Sequence, residues 1–554
     1  MTAKVWDILD RQKRMENRKS PWMEYWQRLG DILLPNNNDF TTSHSAGQPR
    51  TDRIYDGQPR LAARQLITTV DGLLKPKHQR WFWLTVDDQD LAEVDEVKYW
   101  LEDTTDRMWH AVYRQEAKFT QRSAEVDESL IIYGLGALWC GLNRDQDGLS
   151  FRSFRLRDFH IDENGDGVVD VFSVIERLTP RQAVQRWGEE AMSKGALDRL
   201  NGDAKMADMK LPFLQMILPR DDRDATRIDS GNKPYASIVI DVDNEHEVKA
   251  SGFDEFPVAV PRWDTAPGEI YARSPGMYAL PDARTLQAMA KTLLRGGQRA
   301  VDPPTWAISD GVLSPVRTFP GGLTIISADA VNQMGGRPPI GVLDMGANIP
   351  LGLEMQQDVR MQVEAAFFKD IFAMPIEGRQ MTATEILERK EEYQRTIGPV
   401  FGRLESDYIG HITERIFKVM MRFGAFLPMP EILAEAGGLK FEYMSPVQQA
   451  RKQSEAAGLI RAFEVLGPLA EVQPEIIDNF DGDQIARDAP EWANFTQKWL
   501  RPKSIVEELR ASRQQQMEAE SAIQTGIQGA QAGADVVKNI AQAEQSVMAE
   551  PAVA

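Results

Sequence analysis

The sequence predicts an α+β chain that is mainly helical. Three observations carry this. Apolar residues recur at helical spacing through the first 135 residues and again after residue 276. Between them, SFRSFRLRDFHI and VVDVFSVIERL (150–180) and YASIVIDVDNE (in 235–260) alternate polar and apolar residues, which is a strand pattern. Helix start and stop signals bracket the helical stretches.

The first helix is expected over residues 20–34, with Ser20 as N-cap, Pro21 at the first helical position and Pro35 just beyond the end. Trp22, Trp26, Leu29 and Leu33 share one face and read as core. A polar loop follows, then helical stretches near 58–74, 92–117 and 121–135, with the aromatic run Trp81-Phe82-Trp83-Leu84 after the first of these. Within the strand region lies DENGDGVVD. Asp162, Asn164, Asp166 and Gly167 match the opening of a calcium loop, but its twelfth position is Ser173 instead of a glutamate, so an acidic hairpin turn is the better reading. Residues 200–233 read as an exposed linker or loop.

From Pro281 to about Val301 a helix is expected, stopped by Asp302-Pro303-Pro304. A segment rich in proline and glycine fills 302–350. A second helix over 351–373, roughly 33 Å long at the usual rise, carries the stripe Met355, Val359, Val363, Ala366, Phe367 and Ile371. After a short loop, Thr382 and Glu385 form a capping box that opens a long helix to about 424. Gly398-Pro399 should kink it. In 511–548, Ile523, Ile527, Ala530, Ala534, Val537 and Ala541 make a heptad seam, either a packed barrel element or a loose amphipathic tail.

At 554 residues several domains are expected. No apolar run reaches eighteen residues, and the charged N-terminus has no signal-peptide core, so no membrane passage is predicted. The single cysteine, Cys140, sits in an apolar run and reads as a buried, inert thiol. The six histidines show no metal-ligand spacing. Net charge is −19. That argues against a module that grips DNA and permits a surface that DNA slides past. There is no phosphate loop, G-x-S-x-G, H-E-x-x-H or C-x-x-C, so neither cofactor nor catalysis is indicated.

The blocks GEIYARSPGMYALPDARTLQAMAKTLLRGGQRAVDPP (268–304) and MTATEILERKEEYQRTIGPVFGRLESDYI (381–409) resemble the head-to-tail connector (portal) family of short-tailed phages. So do RIYDGQPRLAARQLITTVDGLL (53–74), WFWL (81–84) and FEYMSPVQQARK (441–452), in family order over most of the chain. One departure, KPKHQR before Trp81, puts a local loop in doubt.

The resemblance implies a non-enzymatic ring of about twelve subunits around a channel for double-stranded DNA. It places a wing in 1–280, stem helices at 281–301 and 351–373, and a clip in 302–350. A channel loop would occupy 374–381, a long kinked wing helix 382–429, a crown 430–510, and a barrel or tail 511–554. Implied partners are the terminase large subunit, tail adaptors, capsid and scaffolding protein, with the chain residing in the virion after assembly in the host cytoplasm. Arg379 and Gln380 in the loop are candidates to brush DNA. Lys291, Arg295 and Arg299, spaced by four on one helix face, either line the channel, touch the capsid or remain a solvated face. Met355, Val359, Val363, Phe367 and Ile371 are the packing candidates between subunits. Two other classes stay open: a different virion ring such as a tail adaptor, and a nuclease with an Mg²⁺-binding carboxylate cluster.

Overall fold

The computed structural model describes residues 2–369 apart from short stretches (46, 53, 89–90, 92–93, 221–222, 225, 228, 308–313, 318–323, 334, 336–339, 343–348). It also describes Gly398, residues 401–443 and scattered positions after 457, among them 508–517. The chain divides into two units: Met1–Thr85 with Leu101–Met429 and Leu439–Val447, and Val86–Trp100 with Pro430–Gly438 and Gln448–Ala554. Among the described residues helix predominates, with four sheets.

In chain order the described helices are α1 (Thr2–Leu33), α2 (Gln58–Leu74), α3 (Asp95–Val112), α4 (Phe119–Tyr133), and the short α5 (Pro180–Trp187), α6 (Lys194–Leu200) and α7 (Ala204–Ala207). Then come α8 (Pro275–Val301), α9 (Ala328–Gln333), α10 (Ile349–Ala366), α11 (His411–Arg422) and α12 (Glu431–Ala436). Strands β1 (Phe82–Val86), β2 (Leu138–Leu142) and β3 (Leu149–Ser153) come first, and a five-stranded antiparallel meander then joins β4 (Phe159–Glu163), β5 (Val169–Leu178), β6 (Leu211–Pro219), β7 (Tyr235–Asp241) and β8 (His246–Phe253) in sequence order.

Both faces of this sheet are covered. α1 lays Val5, Ile8 and Met15 on Val171, Leu214, Met216, Ile238 and Ile240. From the other side, α5, α6 and the turn between them put Ala183, Met192 and Ala196 on Phe213, Val239 and Val248. Strand β6 corrects the expected linker: LPFLQMILP is the central strand, paired Phe172↔Ile217 and Leu214↔Ile240. With both faces buried, the run is nearly continuously apolar and loses the alternation that marks a half-exposed strand.

Helix α1 also departs from expectation. It begins at Thr2 and runs through Pro21. A proline there removes one hydrogen bond. Packing on both sides of it outweighs that loss: Met15 and Trp26 are buried, and the Lys19 ammonium donates to the carbonyls of Leu156, Arg157 and Phe159 at 2.5, 2.9 and 2.6 Å. Pro281, too, lies inside its helix and not at its start. Ser274 caps α8, its Oγ accepting from Met277 N at 2.9 Å and donating to Ile132 O at 2.7 Å. α2 spans the expected residues, while α3 and α4 are shorter than or offset from theirs by two to five residues.

The DENGDGVVD segment is the β4–β5 hairpin. Asn164 Oδ1 accepts from Asp166 N and Val168 N, both at 3.0 Å, and Gly167 takes a left-handed φ of 77°. Asp162 is engaged by Arg18 through two bonds of 3.1 and 2.9 Å, and the Ser173 hydroxyl is buried against Gln12.

The main core joins α1, α2, α4, α8 and residues 404–420. Trp26 Nε1 donates to Tyr133 O at 3.1 Å. Gly134 follows with φ 98°, and a Cβ there would stand 2.4 Å from Ala272 O, so the α4 exit needs glycine. Cys140 is buried, and burial pushes its thiol up to about 12. The segment from 401 is helical and includes a π-helical stretch, Glu405–Gly410, before α11. In the second unit, α12 buries Leu433, and Arg510 pairs with Asp483 at 2.5 and 2.6 Å. Thr382, Glu385, Pro399 and the heptad residues 523–541 lie outside the described residues.

Candidate stem helices and their anchorage

Two helices, α8 and α10, pair along their length. Leu293 meets Gly352, where an added Cβ would stand 2.5 Å from Leu293 Cδ2. Nearer the root Gln287 and Gln356 both bond to Asp56, so the helices run antiparallel. Asp302 closes α8, its N–H donating to Gln298 O at 2.8 Å. α10 ends earlier than its periodicity suggests, at Ala366, and Phe368 turns to a φ of 57°.

The root is an ionic clamp on Asp56, in the loop before α2. Asp56 Oδ2 accepts from Gln356 Nε2 at 2.9 Å and from Arg360 Nε and Nη2 at 3.0 and 2.9 Å. Its Oδ1 accepts from Gln58 N at 2.8 Å. From the other helix, Gln287 Nε2 donates to Asp56 O at 2.6 Å, while its Oε1 accepts from Tyr55 N and Asp56 N at 2.7 and 3.0 Å. A nearly buried carboxylate is tolerable here because a guanidinium and two amides saturate it. One loop thus ties both helices to the core.

A buried ion pair stands at the C-terminal end of α2. Lys75 Nζ donates to Asp127 Oδ2 at 2.5 Å and to Tyr408 Oη at 3.2 Å, and lies 4.7 Å from the Tyr408 ring centre. Burial raises the Asp127 carboxyl to about 7 despite the lysine. The pair links α2, α4 and the π-helical stretch.

Comparison with known proteins gives the family. The sequence model described as bacteriophage head to tail connecting protein matches residues 6–500. This chain belongs to that connector family. It is similar to the portal protein of Salmonella phage epsilon15, at 29% identity over 549 residues, covering 97% of this chain and 96% of that one. It is also similar to the probable portal protein of Bordetella phage BPP-1, at 26% identity over 518 residues, covering 92% and 91%.

In this connector-family chain the sequence-derived candidates fall in different places. Arg295 and Arg299 are exposed on α8, and Lys291 is half-buried with its ammonium 5.4 Å from the Tyr55 ring centre. Met355 is 53% exposed and Val359 half-buried, whereas Val363 and Phe367 are sealed in the chain's own core. The last two are therefore spent on anchoring α10 and are not free to meet a neighbour. Arg379, Gln380 and Ile371 lie outside the described residues. Sequence reasoning missed Asp56, Gln287, Gln356 and Arg360. Among the described residues no helix is long and apolar enough to cross a membrane, and no group of three or more potential ligands could hold a metal ion.

Proposed function

We propose that this chain is a portal subunit, closing with its copies into a ring at one capsid vertex through which double-stranded DNA is packaged and ejected. The observation that carries this is the family match over 6–500, supported by end-to-end similarity to two phage proteins named as portal and probable portal. The antiparallel α8–α10 pair, rooted at Asp56, is the stem of this reading, with the wing in 1–280, the clip in 302–350, the channel loop in 374–381, the wing helix in 382–429, the crown in 430–510 and a barrel or tail in 511–554. The ring of about twelve copies docks the terminase large subunit, later tail adaptors, and contacts capsid and scaffolding protein. It performs no chemistry. Each copy brings a net charge of −19, so channel walls repel phosphates and DNA passes without being trapped.

The test is genetic and biochemical. Phage particles assembled without this chain should form empty shells that take up no DNA, and supplying the chain during assembly should restore filling. DNA-filled shells lacking the chain would refute the reading. Arg379→Ala should leave shells and rings intact while lowering packaging or retention. Unchanged packaging would remove that residue from the DNA path.

A further inference from the structure

The two stem helices turn oppositely charged faces away from their shared core. On α8 the buried line runs through Ala283, Leu286 and Ala290. At 100° per residue, Arg284, Lys291, Arg295 and Arg299 fall within an arc of roughly 80° on the far side. On α10 the buried positions are Gln356 and Val363. By the same count Glu354, Asp358 and Met361 occupy the outer arc, about opposite. Glu354 and Asp358 are exposed, as are Arg284 and Arg295, and among the described residues none of these four has an ion-pair partner.

We infer that the basic face of α8 in one copy docks against the acidic face of α10 in the next, a heterologous seam repeated around the ring. This rests on the ring reading given above. Charge complementarity selects the occupant: each face lacks within its own chain what the other supplies, so a second copy satisfies both. The register agrees. Leu293 opposite Gly352 sets the heights of the two helices. With a rise of about 1.5 Å per residue, Lys291 stands level with Glu354, and Asp358 falls between Arg284 and Lys291. Copies related by rotation keep these heights, so Arg284, Lys291 and Arg295 bracket the two carboxylates within reach of their long side chains. Two different faces on one chain also meet the requirement for a closed head-to-tail ring, which a single self-complementary patch does not. The exposed Met361 lies in the same arc as the carboxylates and adds apolar contact.

The test is a charge swap on the full-length chain, read by native mass spectrometry, with circular dichroism to confirm folded subunits. The double variants R284E/R295E and E354R/D358R should each lose the ring species by at least tenfold. Mixing the two should restore rings, because the reversed α8 face of one variant then meets the reversed α10 face of the other while their unaltered faces meet in turn, and the quadruple variant should form rings alone. Double variants that assemble like the wild type, or doubles that fail without rescue by mixing, would overturn the seam. Intact rings with altered DNA retention would overturn it too, placing the basic stripe on the channel wall. A wild-type chain that forms no ring would instead sink the portal reading itself.

Discussion

In the five-stranded sheet, both faces are filled from the same chain: α1 covers one and the short helices after β5 cover the other, leaving Leu214, Met216, Phe213 and Ile240 buried. The α8–α10 pair is filled only at its root. Val363 and Phe367 are sealed, while Leu294, Leu353, Met355 and Met361 are each more than half exposed. Folding of one subunit accounts for the first region completely. The second keeps apolar and charged surface that folding leaves uncovered, and surface of this kind marks an interaction site. The sheet is covered by its own chain, whereas on the reading proposed above a neighbouring copy covers the α8–α10 pair.

That contrast can be broken from either side. The largest effect is expected inside the body. Lys75→Ala leaves the Asp127 carboxylate buried without its cation and should cost about 3–5 kcal/mol in urea denaturation. Replacing both with apolar residues, Lys75→Met with Asp127→Leu, should recover most of it. A loss below about 1 kcal/mol would mean that water reaches the pair. Asp56→Ala should come next. It strips the acceptor from Gln356 and Arg360 and should cost about 2–3 kcal/mol, the range for bonds to charged groups. Faster hydrogen exchange should appear in α8 and α10 but not in the sheet. Uniform exchange across both regions would show that the clamp is not what roots the stem.

The body should also be acid-sensitive through His160. The ring is buried under α1 with Nδ1 3.1 Å from Gln12 Nε2, and burial, helped by the nearby Lys19 charge, lowers its pKa to about 3. A base with a depressed folded pKa stabilises fully above its unfolded value near 6.5 and loses that contribution as pH falls towards 3. By pH 5 the loss should reach about 2 kcal/mol. His160→Gln should flatten the dependence of the urea midpoint on pH between 6.5 and 5, and an unflattened curve would assign the sensitivity elsewhere. The smallest effect belongs to the stem. Met355→Ala should change subunit stability by less than about 0.5 kcal/mol, as an exposed site does, yet lower the salt concentration at which rings dissociate. A large stability loss would mean that the subunit itself covers this residue.

The same contrast explains what the sequence disclosed. α2 was legible to the residue because its N-terminal Gly-Gln-Pro and its apolar line are local signals. The alternating segments SFRSFRLRDFHI, VVDVFSVIERL and YASIVIDVDNE reached strands β4, β5 and β7, while no alternating segment was read over β8. β6 was not legible, because burial on both faces erases that alternation. Pro21 and Pro281 read as helix starts because proline favours the first turn. Only tertiary packing of their neighbours shows the helices continuing through them. The apolar stripe read on α10 was displaced at its N-terminal half: the buried position is Gln356, not Met355, because the side chain it meets is a carboxylate. The family-like block RIYDGQP contained Asp56, but nothing local joins residue 56 to residues 287, 356 and 360. That junction exists only once the chain has folded.

As a portal subunit, this chain is proposed to close with its copies into a ring with a DNA-wide opening. Electron-microscope images of the purified full-length protein test it most directly. Closed rings of about twelve subunits, pierced by an axial hole, are expected. A population of single subunits, or of twofold dimers without a hole, would contradict it.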